Sequence, residues 1–153
     1  SDIRYLLVNR EYPNGHSLLQ RLEYWEAATQ IISNNWMFGV GTGDVQSEFN
    51  HFYEQSHSSL STEYRLRAHN MYLTFWLSFG LLGISILLLF IFRFLQFNYE
   101  QKRPIAFLIM GIIAFSFFVE DTIETQTGVS LVALFWGLYI VPYSTSKVGL
   151  TKE

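Results

Sequence analysis

The 153-residue sequence is 50% hydrophobic and 15% charged, has a formal net charge of −3 and contains no cysteine. So small a charge gives no basic footprint for nucleic acid and no acidic tail, and the absence of thiols rules out disulfides and thiolate metal sites. A soluble core is possible at this length, but the charges leave two long gaps: no Lys, Arg, Asp, Glu or His falls from Asn70 to Phe92 or from Pro104 to Val119. Starting at Ser1 without an initiator Met or signal segment, the chain reads as an excerpt from a longer protein.

Residues 1–68 are mixed in character and read as short helices joined by polar loops. Ser17-Leu18-Leu19-Gln20 forms a capping-box pattern, in which hydroxyl and amide satisfy free N–H groups at a helix start. Leu18, Leu22, Trp25 and Ile32 then recur at near-helical spacing and predict one apolar face. Asn34 and Asn35 end that pattern, and Gly39-Val40-Gly41-Thr42-Gly43 reads as a connector. Asp44 is placed to cap a second helix through about Tyr53, and residues 55–62 read as a surface loop.

The expected fold is all-α and membrane-integral: an external helical loop region, residues 1–68, followed by a membrane region, 69–153, with three spans at about 69–93, 104–120 and 127–143. The uncharged run from Met71 to Phe92 would reach roughly 33 Å as helix, enough for a hydrocarbon core of about 30 Å. The later stretches give only about 24 Å each and need their flanks, or a re-entrant path, to complete them. Arg93, Lys102 and Arg103 follow the first span and Lys147 and Lys152 the third, whereas the link with Glu120, Asp121 and Glu124 has no basic residue. The positive-inside rule puts both basic segments in the cytoplasm, leaving residues 1–68 and the acidic link outside. Trp76, Tyr99, Trp136 and Tyr143 fall near span ends as interfacial anchors.

The strongest local pattern is His69-Asn70, nine further residues, then Gly80-Leu81-Leu82-Gly83. It sets a histidine at the mouth of a membrane helix, where unpaired N–H groups favour anions and a neutral imidazole. A neutral imidazole can take a proton from a hydroxyl near pH 7. Gly80 and Gly83 would admit a second helix; the plain alternative is a wet interfacial histidine with two packing glycines. Arg65 and Arg67 precede His69, and Arg21 lies one turn before Trp25. Such cations suit a diphosphate, although Glu23, Glu26 and Glu63 are equally available to pair them. The Gly-rich turn lacks the Lys-Ser/Thr of a phosphate loop. His51, Glu54 and His57 do not share a helical face, so no metal site is expected. The carboxylates at 120, 121 and 124 are either functional membrane-edge groups or an ordinary polar turn.

Taken in order, Ser17-x3-Arg21-x3-Trp25, the Gly39–Asp44 turn and His69-Asn70-x9-Gly80-x2-Gly83 resemble the C-terminal half of the bacterial O-antigen ligase and polymerase superfamily, over residues 15–143. The resemblance implies a multi-pass glycosyltransferase of the bacterial inner membrane, active in lipopolysaccharide biosynthesis, with residues 1–68 in the periplasm. Its donor would be an undecaprenyl-diphosphate-linked glycan, its acceptor a lipid A–core sugar or another lipid-linked glycan, with no metal, nucleotide sugar or other cofactor. Carried over, His69 is the catalytic residue and Arg21 a contact to the donor diphosphate, while Arg65, Arg67 and Asn70 are added as substrate-binding from position. An essential arginine of an earlier membrane segment has no counterpart, so the excerpt alone is expected to be inactive. The competing class, a non-catalytic transporter subunit or envelope assembly partner, predicts that Arg21 and His69 lie far apart.

Overall fold

The computed structural model describes residues 17–56, 58, 60–135 and 137. Regular structure within them is helical: α1 (Ser17–Asn35), α2 (Val45–Gln55), α3 (Met71–Glu100), α4 (Pro104–Ser116) and α5 (Gln126–Phe135), with 3-10 turns at Thr62–Tyr64 and Thr122–Glu124. The chain divides between Leu89 and Phe90 into two compact units.

In the first unit α1 and α2 close a core of Tyr24, Ala27, Ala28, Ile31 and Ile32 from α1 and Val45, Phe49 and Tyr53 from α2. The α2 residues recur every four positions and so share one face. On α1 the buried face matches in part the one the large apolar residues predict, with Ile32 in the core and Trp25 packed against it. Leu22 is 43% exposed, while Ala27 and Ala28 are wholly buried, because small side chains let helices approach closely. Leu60 is a second departure: expected in a surface loop, it is buried in the same core. Asp44 does stand at the N-cap of α2, but its side chain makes no capping bond; its carbonyl instead receives the Glu48 N–H at 2.9 Å and the Ser47 hydroxyl at 2.8 Å.

α3 is 30 residues long and apolar enough to cross a membrane, with 39% of its most apolar stretch buried inside the protein. The remaining apolar surface needs a non-aqueous neighbour. The continuous helix expected over 71–92 is, however, interrupted. Gly80 has φ 63° and ψ −154°, a backbone conformation open essentially to glycine alone. In an unbroken helix the Leu81 N–H would bond the Leu77 carbonyl; here it turns to the carbonyls of Trp36 (2.9 Å) and Met37 (3.2 Å). The released carbonyls of Leu77 and Ser78 accept from Val40 N–H (2.7 Å) and Gly41 N–H (3.1 Å). The Gly-rich turn is therefore the partner of the glycine in the helix, and what Gly80 admits is a loop backbone rather than a second helix.

In the second unit α4 begins with Pro104, whose missing N–H costs nothing at a helix start. It buries Ala106, Met110 and Ile113 on one side. Asn98 is buried, its amide donating to the Phe94 carbonyl at 2.9 Å and its carbonyl receiving Arg103 N–H at 2.9 Å. α4 has 13 residues, about 20 Å of helix, and the described part of α5 is shorter still, so both fall below a hydrocarbon core of about 30 Å. Residues 136 and 138–143 of the expected third span, Trp136 and Tyr143 among them, and the C-terminal Lys147 and Lys152 lie outside the described residues.

Candidate functional site

Three aromatic donors fix the approach to His69. Tyr24 donates its hydroxyl to the Tyr64 carbonyl at 2.7 Å, Tyr53 to the Leu66 carbonyl at 2.9 Å, and Trp25 its ring N–H to the Ala68 carbonyl at 3.0 Å. Carbonyls 64, 66 and 68 alternate along the segment before α3; that of Tyr64 also receives the Leu66 N–H at 3.0 Å, and that of the buried Ala68 would be a costly acceptor to leave unpaired. Burial pushes the Tyr53 phenol well up, Tyr24 and Glu23 adding to the shift and Arg65 opposing it. The Tyr24 phenol is raised too, first by burial and then by Glu23. Both therefore stay protonated donors at neutral pH.

His69 has a left-handed backbone, φ 46°, which histidine tolerates better than most residues but which still costs energy. Its ring centroid lies 6.2 Å from that of Tyr24, tilted by 57°. Arg21 is three residues before Tyr24 on α1, and helical neighbours at that spacing sit about 5–6 Å apart. The first helix thus folds back over the head of α3, and its Arg-x3-Trp face is the one that carries the His69 segment.

Asn70 is buried, and its side-chain oxygen accepts from the N–H groups of Tyr72 (3.0 Å) and Leu73 (3.2 Å). It is the N-cap of α3. Two of the N–H groups expected to stand open for an anion are consequently satisfied within the chain. Arg65 directs Nε to the Leu60 carbonyl and Arg67 to Gln46 on α2, each at 3.3 Å. The structure thus brings His69 to Tyr24, which shares a face of α1 with Arg21, while Arg65 and Arg67 brace the segment through Leu60 and Gln46.

Glu23 receives the Ser58 hydroxyl at 2.9 Å, tying the 55–62 loop to α1. His51 contacts Gln55 at 2.9 Å; His57 lies outside the described residues. Among the described residues, no cluster of three His, Cys, Asp or Glu side chains could hold a metal ion. Reading the sequence missed Tyr24 and Tyr53. The signal for Tyr24 was its place inside the Arg-x3-Trp segment; none marks Tyr53 beyond its helical register with Phe49.

The family described as O-antigen ligase matches residues 3–88, a stretch that contains Arg21, Trp25, the Gly39 turn, His69 and Gly80 and nearly coincides with the first compact unit. No curated protein and no solved structure matches the chain. With the match covering more than half of its length, this chain belongs to the O-antigen ligase family, membrane proteins of lipopolysaccharide biosynthesis whose membership implies glycosyl transfer from lipid-linked glycans.

Proposed function

We propose that the protein transfers a glycan from a polyprenyl diphosphate, undecaprenyl diphosphate in bacteria, to a hydroxyl of a lipid A–core sugar or of a second lipid-linked glycan. The observation that carries this reading is the docking of α1 on the His69 segment, through Trp25 to Ala68 and Tyr24 to His69. It favours a shared site over the separated residues that a non-catalytic envelope protein would show.

His69 takes the proton of the acceptor hydroxyl as its oxygen attacks the anomeric carbon. The bond from that carbon to the diphosphate oxygen breaks, and the lipid diphosphate departs with the electron pair. Negative charge grows on the leaving group, so Arg21 on the α1 face beside Tyr24 lowers the barrier electrostatically, while Arg65 and Arg67, close to His69 in sequence, add positive charge around the segment they brace. Asn70 contributes as the cap that fixes where α3 starts. In this reading the head of α3 lies at the periplasmic face and its basic end, Arg93 to Arg103, in the cytoplasm, while α4 and α5 need their flanks, or a re-entrant path, to complete further spans.

The direct test is reconstitution of the full-length protein in proteoliposomes with a polyprenyl-diphosphate glycan and a lipid A–core acceptor, or donor alone, with no added metal. Transfer with release of polyprenyl diphosphate is expected. Absence of release with either acceptor would contradict the reading.

A further inference from the structure

The exposed residues of the first unit are unevenly spread. Phe38 is 82% exposed, and Trp36 and Met37 are 47% exposed each. These three consecutive apolar residues form the tip of the loop that enters the break at Gly80. With Phe79, Leu81 and Leu82 of α3, Met37 and Phe38 line a cleft of about 560 Å³. In water such a tip would be an unexplained apolar protrusion.

Two features say what surrounds it. The first is attachment. Trp36, Met37, Val40 and Gly41 are hydrogen-bonded through their backbones to α3, and the Trp76 ring N–H adds a bond to the Trp36 carbonyl at 3.1 Å. The tip cannot lift away from the helix, so it shares the depth of residues 77–81. Gly80 is the tenth residue after Asn70 within the uncharged run 70–92, roughly 15 Å of helix in from its head. The second is how the backbone polar groups are paired. Non-helical backbone is tolerated at membrane depth where protein buries and satisfies its N–H and C=O groups or where it lines a water-filled cavity. Here loop and broken helix pair many of these groups with one another: Trp36 and Met37 carbonyls with Leu81 N–H, and Val40 and Gly41 N–H with the Leu77 and Ser78 carbonyls, while Gly39 N–H bonds the Asn35 carbonyl at 2.8 Å.

We propose that Trp36-Met37-Phe38 is a re-entrant tip immersed in the lipid leaflet that the head of α3 enters, with acyl chains as its occupant. The proposal rests on α3 crossing the membrane and is independent of the chemistry assigned to His69. It modifies the expectation that residues 1–68 lie wholly outside: one tip of that region reaches into the bilayer and anchors the first unit beside the membrane surface. The tip then fixes the height of the His69 segment above the lipid, where a lipid-linked diphosphate must present its headgroup.

The chain has no cysteine, so single cysteines can be placed in the full-length protein after removing any elsewhere. Phe38→Cys, with Met37→Cys as a second position, and Asn50→Cys on the exposed side of α2 would each carry a nitroxide in proteoliposomes. Collision with dissolved oxygen, which concentrates in lipid, is compared with collision with a water-soluble nickel chelate. The tip positions should favour oxygen several-fold more than position 50 does. Equal access of the nickel chelate at 37, 38 and 50 would overturn the proposal by placing the tip in water. Exclusion of both probes would overturn it equally, by showing another protein segment as the occupant.

Discussion

A side chain on Gly39 would collide with Gly80, and one on Gly80 would collide with Met37 and Phe38, the turn that leads into Gly39. A Cβ on Gly39 would lie 2.6 Å from the Gly80 nitrogen and 2.5 Å from the Leu77 carbonyl oxygen, and one on Gly80 would lie 2.6 Å from the Phe38 nitrogen. Both have positive φ, 71° and 63°. Two glycines forty-one positions apart thus belong to a single backbone junction, which joins the α1–α2 connector to the interior of α3.

Gly80→Ala should destabilise the full-length protein by at least about 2 kcal/mol, since it adds a contact and forces a side chain into a conformation costing about 1–3 kcal/mol by itself. Gly39→Ala should act in the same direction. Because either substitution displaces the same loop, the double variant should lose less than the sum. Thermal unfolding in detergent measures this; full additivity would mean the junction does not act as a unit.

Trp25→Phe keeps the ring but removes the donor to the Ala68 carbonyl. Leaving a part-buried acceptor unpaired costs about 1–3 kcal/mol, and the residue after that acceptor is His69. Glycan transfer should fall further than Trp25→Phe lowers thermal stability, and Trp25→His, which can restore a ring N–H, should recover part of it. Equal transfer in wild type and Trp25→Phe would show that the bond does not position His69.

Raised Tyr53 and Tyr24 phenols make stability fall in alkali. Above the ordinary tyrosine value of 10.0 the unfolded chain loses these protons while the folded unit keeps them. The folded state then binds more protons, so their contribution is complete below about pH 10 and declines as pH rises towards the folded values. Unfolding of the detergent-solubilised protein followed from about pH 8 to 11 should show the decline, and Tyr53→Phe should flatten it. An unchanged slope in that variant would place the alkaline sensitivity elsewhere.

Much of this architecture was legible because it rests on local signals. The uncharged run from Asn70 to Phe92, the helix starts near Ser17 and at Val45, and the ordered Arg-Trp, Gly-turn and His-Asn-Gly segments lie in plain view. The rest depends on long-range packing. Gly80 reads as a helix-packing glycine until Gly39 is placed against it, and nothing local says that a loop will take the bonds of Leu77 and Ser78. The α1 face was legible at Trp25 and Ile32 but not at Leu22, which outweighs Ala27 and Ala28 in an apolar count, whereas close packing selects the alanines. Asn70 was assigned to substrate, yet its oxygen is committed to capping α3. Arg65 and Arg67 were grouped with Arg21 from position, and no local signal announces that Arg65 bonds the Leu60 carbonyl and Arg67 the Gln46 side chain.

Arg21 separates charge from bidentate geometry. Arg21→Ala should lower transfer on the order of 10²-fold, the usual effect of removing one preorganised donor to a developing anion. Arg21→Lys keeps the charge without the planar fork and should fall between wild type and Ala. Initial rates over donor concentration measure this; unaltered kcat and KM in Arg21→Ala would remove Arg21 from the site.

The most direct test of the central claim compares His69→Ala with His69→Gln in the full-length protein at matched membrane levels. Both replacements accept similar backbone strain at φ 46°, so a difference between them reports on the side chain. General-base assistance is worth about 10²–10⁴-fold, and glutamine keeps hydrogen-bonding capacity but cannot take up a proton at neutral pH. The account predicts that glycan transfer falls by that order in both variants, with Gln nearly as damaging as Ala. Transfer largely restored in Gln would contradict proton abstraction, and near-normal transfer in both would contradict a catalytic His69 altogether.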